Sequence, residues 1–228
     1  MLTADEWQIV GLTLGVAARA MAFALPLAVL AALLLSRTRF LGRSLFDATL
    51  HLPRVLPPVV VGLMLLLLFG LRGPAGALLH DWFGIRLVFT VQGVAVACAV
   101  MVFPMMVSII RLSLDGVDRG LENAARILGA GALDRFFTIT LPLVAPGVLV
   151  AGIVGFTTCL GEFGAVITFA GSIPGETETL PLAIYAAIHS VGGEAVALRL
   201  SMASIGLALG GLLAADWLGR LLRARVGQ

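Results

Sequence analysis

The chain has 228 residues, of which 60% are hydrophobic and 12% charged, with a mean hydropathy of +1.07. A soluble domain of this size cannot hide so much apolar surface, so the composition excludes that class and points to one integral membrane bundle. The net charge of +2 conceals that all 15 basic residues are arginine; without a lysine the chain cannot carry the G-x-x-x-x-G-K-[ST] phosphate loop, so any ATP that drives it is hydrolysed elsewhere.

Residues 1–8 carry Asp5 and Glu6 and no basic residue, the wrong flank for a cleaved signal, so the first apolar run is expected to stay as a helix. About 20 apolar residues cross the roughly 30 Å of hydrocarbon in a bilayer. Runs of that kind cover 9–35, 55–71, 87–110, 144–170 and 200–222. The expectation is five transmembrane helices, or six if a long run is broken or 180–190 enters the membrane. Pro26, Pro104 and Pro146 each remove a backbone donor within or at the end of a run and favour kinks. Cys98 and Cys159 sit inside apolar runs with no CxxC spacing and read as small buried hydrophobes.

Arg37, Arg39 and Arg43 follow the first run, Arg111, Arg119, Arg126 and Arg135 separate the third and fourth, and Arg220, Arg223 and Arg225 stand at or beyond the end of the fifth. Only Arg72, Arg86 and Arg199 fall on the other side, while Arg19 lies within the first run and Arg54 at the start of the second. The positive-inside bias then sets the N-terminus outside and the C-terminus in the cytoplasm of a multi-pass membrane protein. Trp7, Trp82 and Trp217 fall near the expected interfaces, where indole rings settle.

The longest cytoplasmic segment, about 111–142, has helical punctuation. Asp118 suits an N-cap and Gly129 a C-terminal stop. Between them Leu121, Ala125 and Leu128 share one face, with Ala124 beside them, and a second helical stretch over 132–140 leads to Pro142. Periodicity alone leaves two readings open: an amphipathic helix on the membrane surface, or a docking element whose small residues admit another protein.

The spacing goes further. Asn123-Ala124-Ala125, three residues, Gly129, nine residues, then Ile139-Thr140-Leu141-Pro142 resembles the E-A-A-x-x-x-G…I-x-L-P loop of ABC-importer permeases, with Asn123 in place of the glutamate and Glu122 just before it. Three more stretches, 51–62, Gly161-Glu162-Phe163-Gly164-Ala165 and 173–185, are similar to those of the molybdate permease family, whose near relatives carry tungstate, sulfate or thiosulfate. The resemblance implies an all-α membrane domain over 1–228 with the small type I ABC-importer permease fold. It implies that Glu122, Asn123, Ala124, Ala125, Leu128, Gly129, Leu141 and Pro142 form the ATPase-coupling loop. It also implies a non-catalytic subunit that translocates molybdate inward by alternating access in a bacterial inner membrane. The implied assembly is a homodimer of this chain, two cytoplasmic ATPase subunits holding ATP and Mg, and an external or periplasmic oxyanion-binding protein. No cofactor or metal is expected on this chain.

Glu162 and Arg19 lie well inside their spans, where an ionisable group costs free energy and marks either a function or a paired structural site. Glu162, flanked by Gly161 and Gly164, fits a structural or gate-forming hydrogen bond, a part in conformational switching or, least naturally for a carboxylate facing a dianion, a substrate contact. Arg19 fits pairing or snorkelling, or an anion-attracting place on the translocation path. The outer loop, about 171–197, carries Glu176, Glu178 and Glu194 and no arginine; it is either plainly solvated or a charge-complementary dock for the binding protein. His51, His80 and His189 have no ligand spacing, and nothing supports nucleic-acid binding. An ATP-independent secondary transporter or a non-transporting scaffold are the rival classes, and neither needs a docking loop of this form.

Overall fold

The computed structural model describes residues 2–38 and 40–226; of Arg119, Glu122 and residues 221–226 it describes the backbone alone, and Arg39 of the inner arginine set lies outside the described residues. Among the described residues the regular structure is entirely helical. Helix α1 (Ala4–Arg37) opens on a capping box: Thr3 Oγ1 accepts from the Glu6 amide and the Glu6 carboxylate accepts from the Thr3 amide. Its 34 residues extend about 51 Å, more than the hydrocarbon thickness. Helices α2 (Arg43–Val55) and α3 (Pro58–Phe69) meet at a 117° bend. Pro57 and Pro58 cause it, since a proline drives the residue before it out of the helical region, and Leu56 is extended.

Beyond the short α4 (Pro74–Phe83), α5 (Val91–Asp115) runs through the middle of the bundle. It packs on α1 through small side chains: Ala17, Ala20, Ala24, Ala28 and Ala32 of α1 and Ala97 and Cys98 of α5 are all buried. Small residues bring backbones close enough for dispersion to hold membrane helices together where no hydrophobic drive exists. The 111–142 segment begins within the last turn of α5, continues through α6 (Arg119–Ile127) and α7 (Ala132–Arg135), and ends as a π-helical turn (Phe136–Thr140) feeds α8 (Leu141–Leu160). A short α9 (Gly164–Phe169), a nine-residue α10 (Leu180–Ile188) and the long α11 (Glu194–Val226) complete the chain.

Four helical segments are long and apolar enough to cross a membrane, and a fifth is reached if the bent α2–α3 pair counts as one span. The expected span over 55–71 is thus shorter than its hydropathy implied: α3 alone has 12 residues, about 18 Å. The run over 144–170 is broken at residues 161–163, and α10 is too short to cross by itself. Apolar length is visible to hydropathy, but backbone breaks inside an apolar run are not.

One end of the bundle is tied by long-range polar bonds. The Arg199 guanidinium of α11 grips the buried Glu6 carboxylate of α1, with Nη2 2.6 Å and Nε 3.0 Å from Oε1. Nearby, the buried Thr13 hydroxyl accepts from the Leu180 amide of α10 at 2.9 Å and donates to the Ile9 carbonyl at 2.8 Å. These bonds gather α1, α10 and α11 around a small apolar cluster of Val10, Leu180, Ala183 and Leu200.

Candidate functional site

The two ends of α6 are built as the sequence predicts. Asp118 caps α6, its Oδ1 accepting from the Gly120 amide at 2.7 Å. At the other end Gly129 adopts φ +90°, the left-handed conformation that glycine takes without strain. The Gly129 amide then donates to the Arg126 carbonyl at 3.1 Å and the Ala130 amide to the Ala125 carbonyl at 3.0 Å, closing a Schellman motif. A nine-residue helix would fray alone; capped at both ends, it holds its shape.

Arg135 Nη1 donates to the Ala130 carbonyl at 2.7 Å and ties α7 to this terminus. Pro142 lacks an amide, and its ring would clash with the carbonyl four residues back. The chain widens to a π turn there, with the Leu141 amide reaching the Phe136 carbonyl. The proline of the I-x-L-P stretch therefore reads as the cause of the π turn.

Helix α6 packs mainly on α7 and the π turn. Leu121, Asn123, Ala124, Ile127, Leu128 and, beyond it, Leu133 are exposed, and Ala125 is half-buried. The helix hangs between α5 and α8, which converge just behind it: a Cβ on Gly147 of α8 would overlap the Ser113 hydroxyl of α5. From the side, α2 is pinned to the last turns of α5. Asp47 accepts from Arg111 at 3.2 Å, and the His51 ring nitrogen Nε2 lies 3.0 Å from Ser108 Oγ.

The stretches over 51–62 and 161–165, more than 100 residues apart in sequence, meet in space. A Cβ on Gly164 would lie 2.6 Å from Pro58 Cβ, and one on Gly62 would lie 2.6 Å from the Ala165 carbonyl and 2.8 Å from Thr168 Cβ. Glycines at these positions allow α3 and α9 to touch along their backbones. Glu162 is half-buried beside them, and its Oε1 accepts from the Ala165 amide at 3.0 Å, which caps the first turn of α9. Gly161 is exposed, and a Cβ there would meet the Thr158 carbonyl at 3.8 Å, an ordinary contact. Of the three uses read for Glu162, the geometry displays the structural hydrogen bond.

Arg19 is elsewhere, about 20 Å along α1 from Glu6 at 1.5 Å per residue. Its side chain is exposed and, among the described residues, meets no carboxylate and no other hydrogen-bonding partner. It faces a cleft of about 540 Å³ between α1 and the start of α5. In the 171–197 loop Glu176 and Glu194 are exposed, while the buried Thr177 hydroxyl accepts from the Ile173 amide at 2.9 Å and donates to the Gly171 carbonyl, shaping a tight turn.

Residues 24–228 match the model of the binding-protein-dependent transport system inner membrane component family. The chain belongs to that family. Within the permeases, the molybdenum transport system permease protein ModB of Escherichia coli (strain K12) is 53% identical over 100% of both chains. ModB of Haemophilus influenzae is 47% identical over 98% of this chain and 97% of its own. The sulfate transport system permease protein CysT of Salmonella typhimurium is 40% identical over 69% of this chain and 56% of its own. The molybdate-permease resemblance read from separate stretches thus extends over the whole permease.

The fold is shared with solved transporters of low identity. A bacterial ABC transporter involved in the import of alginate superposes with a TM-score of 0.71 at 16% identity, covering 98% of the permease and 80% of that chain. The MetNI methionine transporter in inward-facing form gives 0.69 at 17% identity, covering 96% and 94%.

Sequence reasoning missed the Glu6–Arg199 clamp and the Asp47–Arg111 and His51–Ser108 ties. Thr3-x-x-Glu6 is legible as a capping box, but nothing local marks a partner 193 residues away.

Proposed function

We propose that this permease is the translocation subunit of an ATP-driven importer that carries molybdate inward. Two copies of the chain form the path, two separate ATPase subunits bind ATP and Mg on the cytoplasmic side, and an external oxyanion-binding protein delivers the ion. Helix α6 is the coupling element: Asn123, Ala124, Ala125 and Leu128 meet the ATPase, with Glu122 on the same helix. Gly129, Leu141 and Pro142 shape the return of the chain into α8.

The observation that carries this reading is the state of α6. It is capped at both ends, leaves Leu121, Asn123, Ala124, Ile127 and Leu128 exposed, and packs mainly on the segment that leads into α8. A rigid lever of this kind transmits a displacement of its ends to α5 and α8, which are in close contact at Ser113 and Gly147. ATPase closure would thereby repack the bundle between inward-open and outward-open arrangements, a rigid-body switch. The arginine distribution supports the N-terminus outside and the C-terminus in the cytoplasm.

Full-length identity of 53% to a molybdenum permease, against 40% over part of the chain to a sulfate permease, favours molybdate over sulfate. The test is ATP hydrolysis by the reconstituted assembly, titrated with molybdate, tungstate and sulfate in the presence of the binding protein. Molybdate-stimulated hydrolysis that disappears in Ala125→Arg, with the subunits still assembled, is the expected result. Stimulation that survives Ala125→Arg would remove α6 from the coupling role.

A further inference from the structure

We propose that Arg19, Gln8 and Gln92 form a transit site for a tetrahedral oxyanion, an inference that rests on the import reading and gives it a place in the chain. Gln8, Gly11, Gly15 and Arg19 succeed one another at steps of three or four along α1 and so share a face. All four line the 540 Å³ cleft, whose opposite wall includes Gln92 in the first turn of α5. Glycine at 11 and 15 leaves this face open; a Cβ on Gly15 would come within 3.4 Å of Arg19 Nη1.

The chemistry of the lining selects an anion. A guanidinium offers five N–H donors and no acceptor, and each carboxamide adds two donors. Arg19 has no carboxylate against it among the described residues, so its charge is available to a ligand. Asp5 and Glu178 line a separate, smaller cleft of about 160 Å³ that shares Gln8 and Leu12 with this one. One cation facing a dianion, with neutral amides around it, attracts the ion without matching its charge. A site on a path needs that balance, because an ion held firmly would not leave.

The experiment is uptake of radiolabelled molybdate into proteoliposomes holding the full assembly, at saturating binding protein. Arg19→Gln is expected to lower uptake about tenfold, as loss of a charge-assisted hydrogen bond does. Arg19→Lys keeps the charge and should stay within about threefold of wild type, with Gln8→Leu and Gln92→Leu between the two. ATP hydrolysis without oxyanion should be unchanged in all four. Wild-type uptake by Arg19→Gln overturns the site. So does failure of that variant to assemble, or an equal fall in its ligand-free hydrolysis, since either assigns Arg19 to a lipid phosphate or to a second copy of the chain. A wild-type assembly that takes up neither molybdate, tungstate nor sulfate removes the import reading and the site together.

Discussion

Glycines in this permease divide by what a methyl group would meet. Gly62 and Gly164 sit where a Cβ would fall 2.6 Å from neighbouring atoms, whereas Gly206 and Gly210 on α11 face open space. Gly164→Ala should therefore destabilise the fold by about 1–3 kcal/mol, the usual result of overpacking. Gly206→Ala and Gly210→Ala should be neutral or slightly stabilising, because alanine is the better helix former. Unfolding of the purified permease in mixed micelles with rising dodecyl sulfate separates the two classes; equal midpoints would contradict the close α3–α9 contact. Glu162 is a second case. Its carboxylate accepts one bond from the Ala165 amide, and a glutamine oxygen can do the same. Glu162→Gln should keep the stability of the wild type, while Glu162→Ala should lose about 1 kcal/mol, as loss of a helix cap does. If both lose equally, the negative charge itself matters and Glu162 has a use beyond capping. Gly164 and Glu162 were legible in sequence as a glycine-flanked charge. Their actual partners, Pro58 and the Ala165 amide, were not, because the first lies more than 100 residues away and the second depends on where the helix breaks.

Among the elements, α6 was the most legible, since its signals are local: a capping aspartate, a stopping glycine and apolar residues at helical spacing between them. The spans were legible as apolar length and not as continuous helices. Pro57 and Pro58 turn α2 away from α3, and residues 161–163 split α8 from α9. Neither event changes hydropathy, so neither appears in a window average. The clamp between α1 and α11 was the least legible, and it carries its own prediction. Glu6 and Arg199 join helix ends that no other described ion pair connects. Glu6→Gln and Arg199→Gln should each lower the thermal stability of the permease, and the double variant should lose less than the sum of the two, because one interaction is removed in each case. Additive losses would show that the two residues act separately.

At the scale of the whole molecule, the chain combines a membrane bundle that lacks a lysine-type phosphate loop with a capped, exposed helix. The absence of lysine excludes a phosphate loop of the lysine type from this polypeptide. In the assembly we propose, the capped and exposed α6, which follows α5 and leads toward α8, would provide the mechanical element that a separate ATPase needs. On this account the permease is inert by itself and active only in the assembly. The most direct measurement is molybdate uptake into proteoliposomes containing this chain alone, or this chain with the ATPase and binding protein, each with and without ATP on the ATPase side. The account predicts uptake in the full assembly with ATP and none in the other three arrangements. Uptake by this chain alone, driven by a proton or sodium gradient, would contradict it.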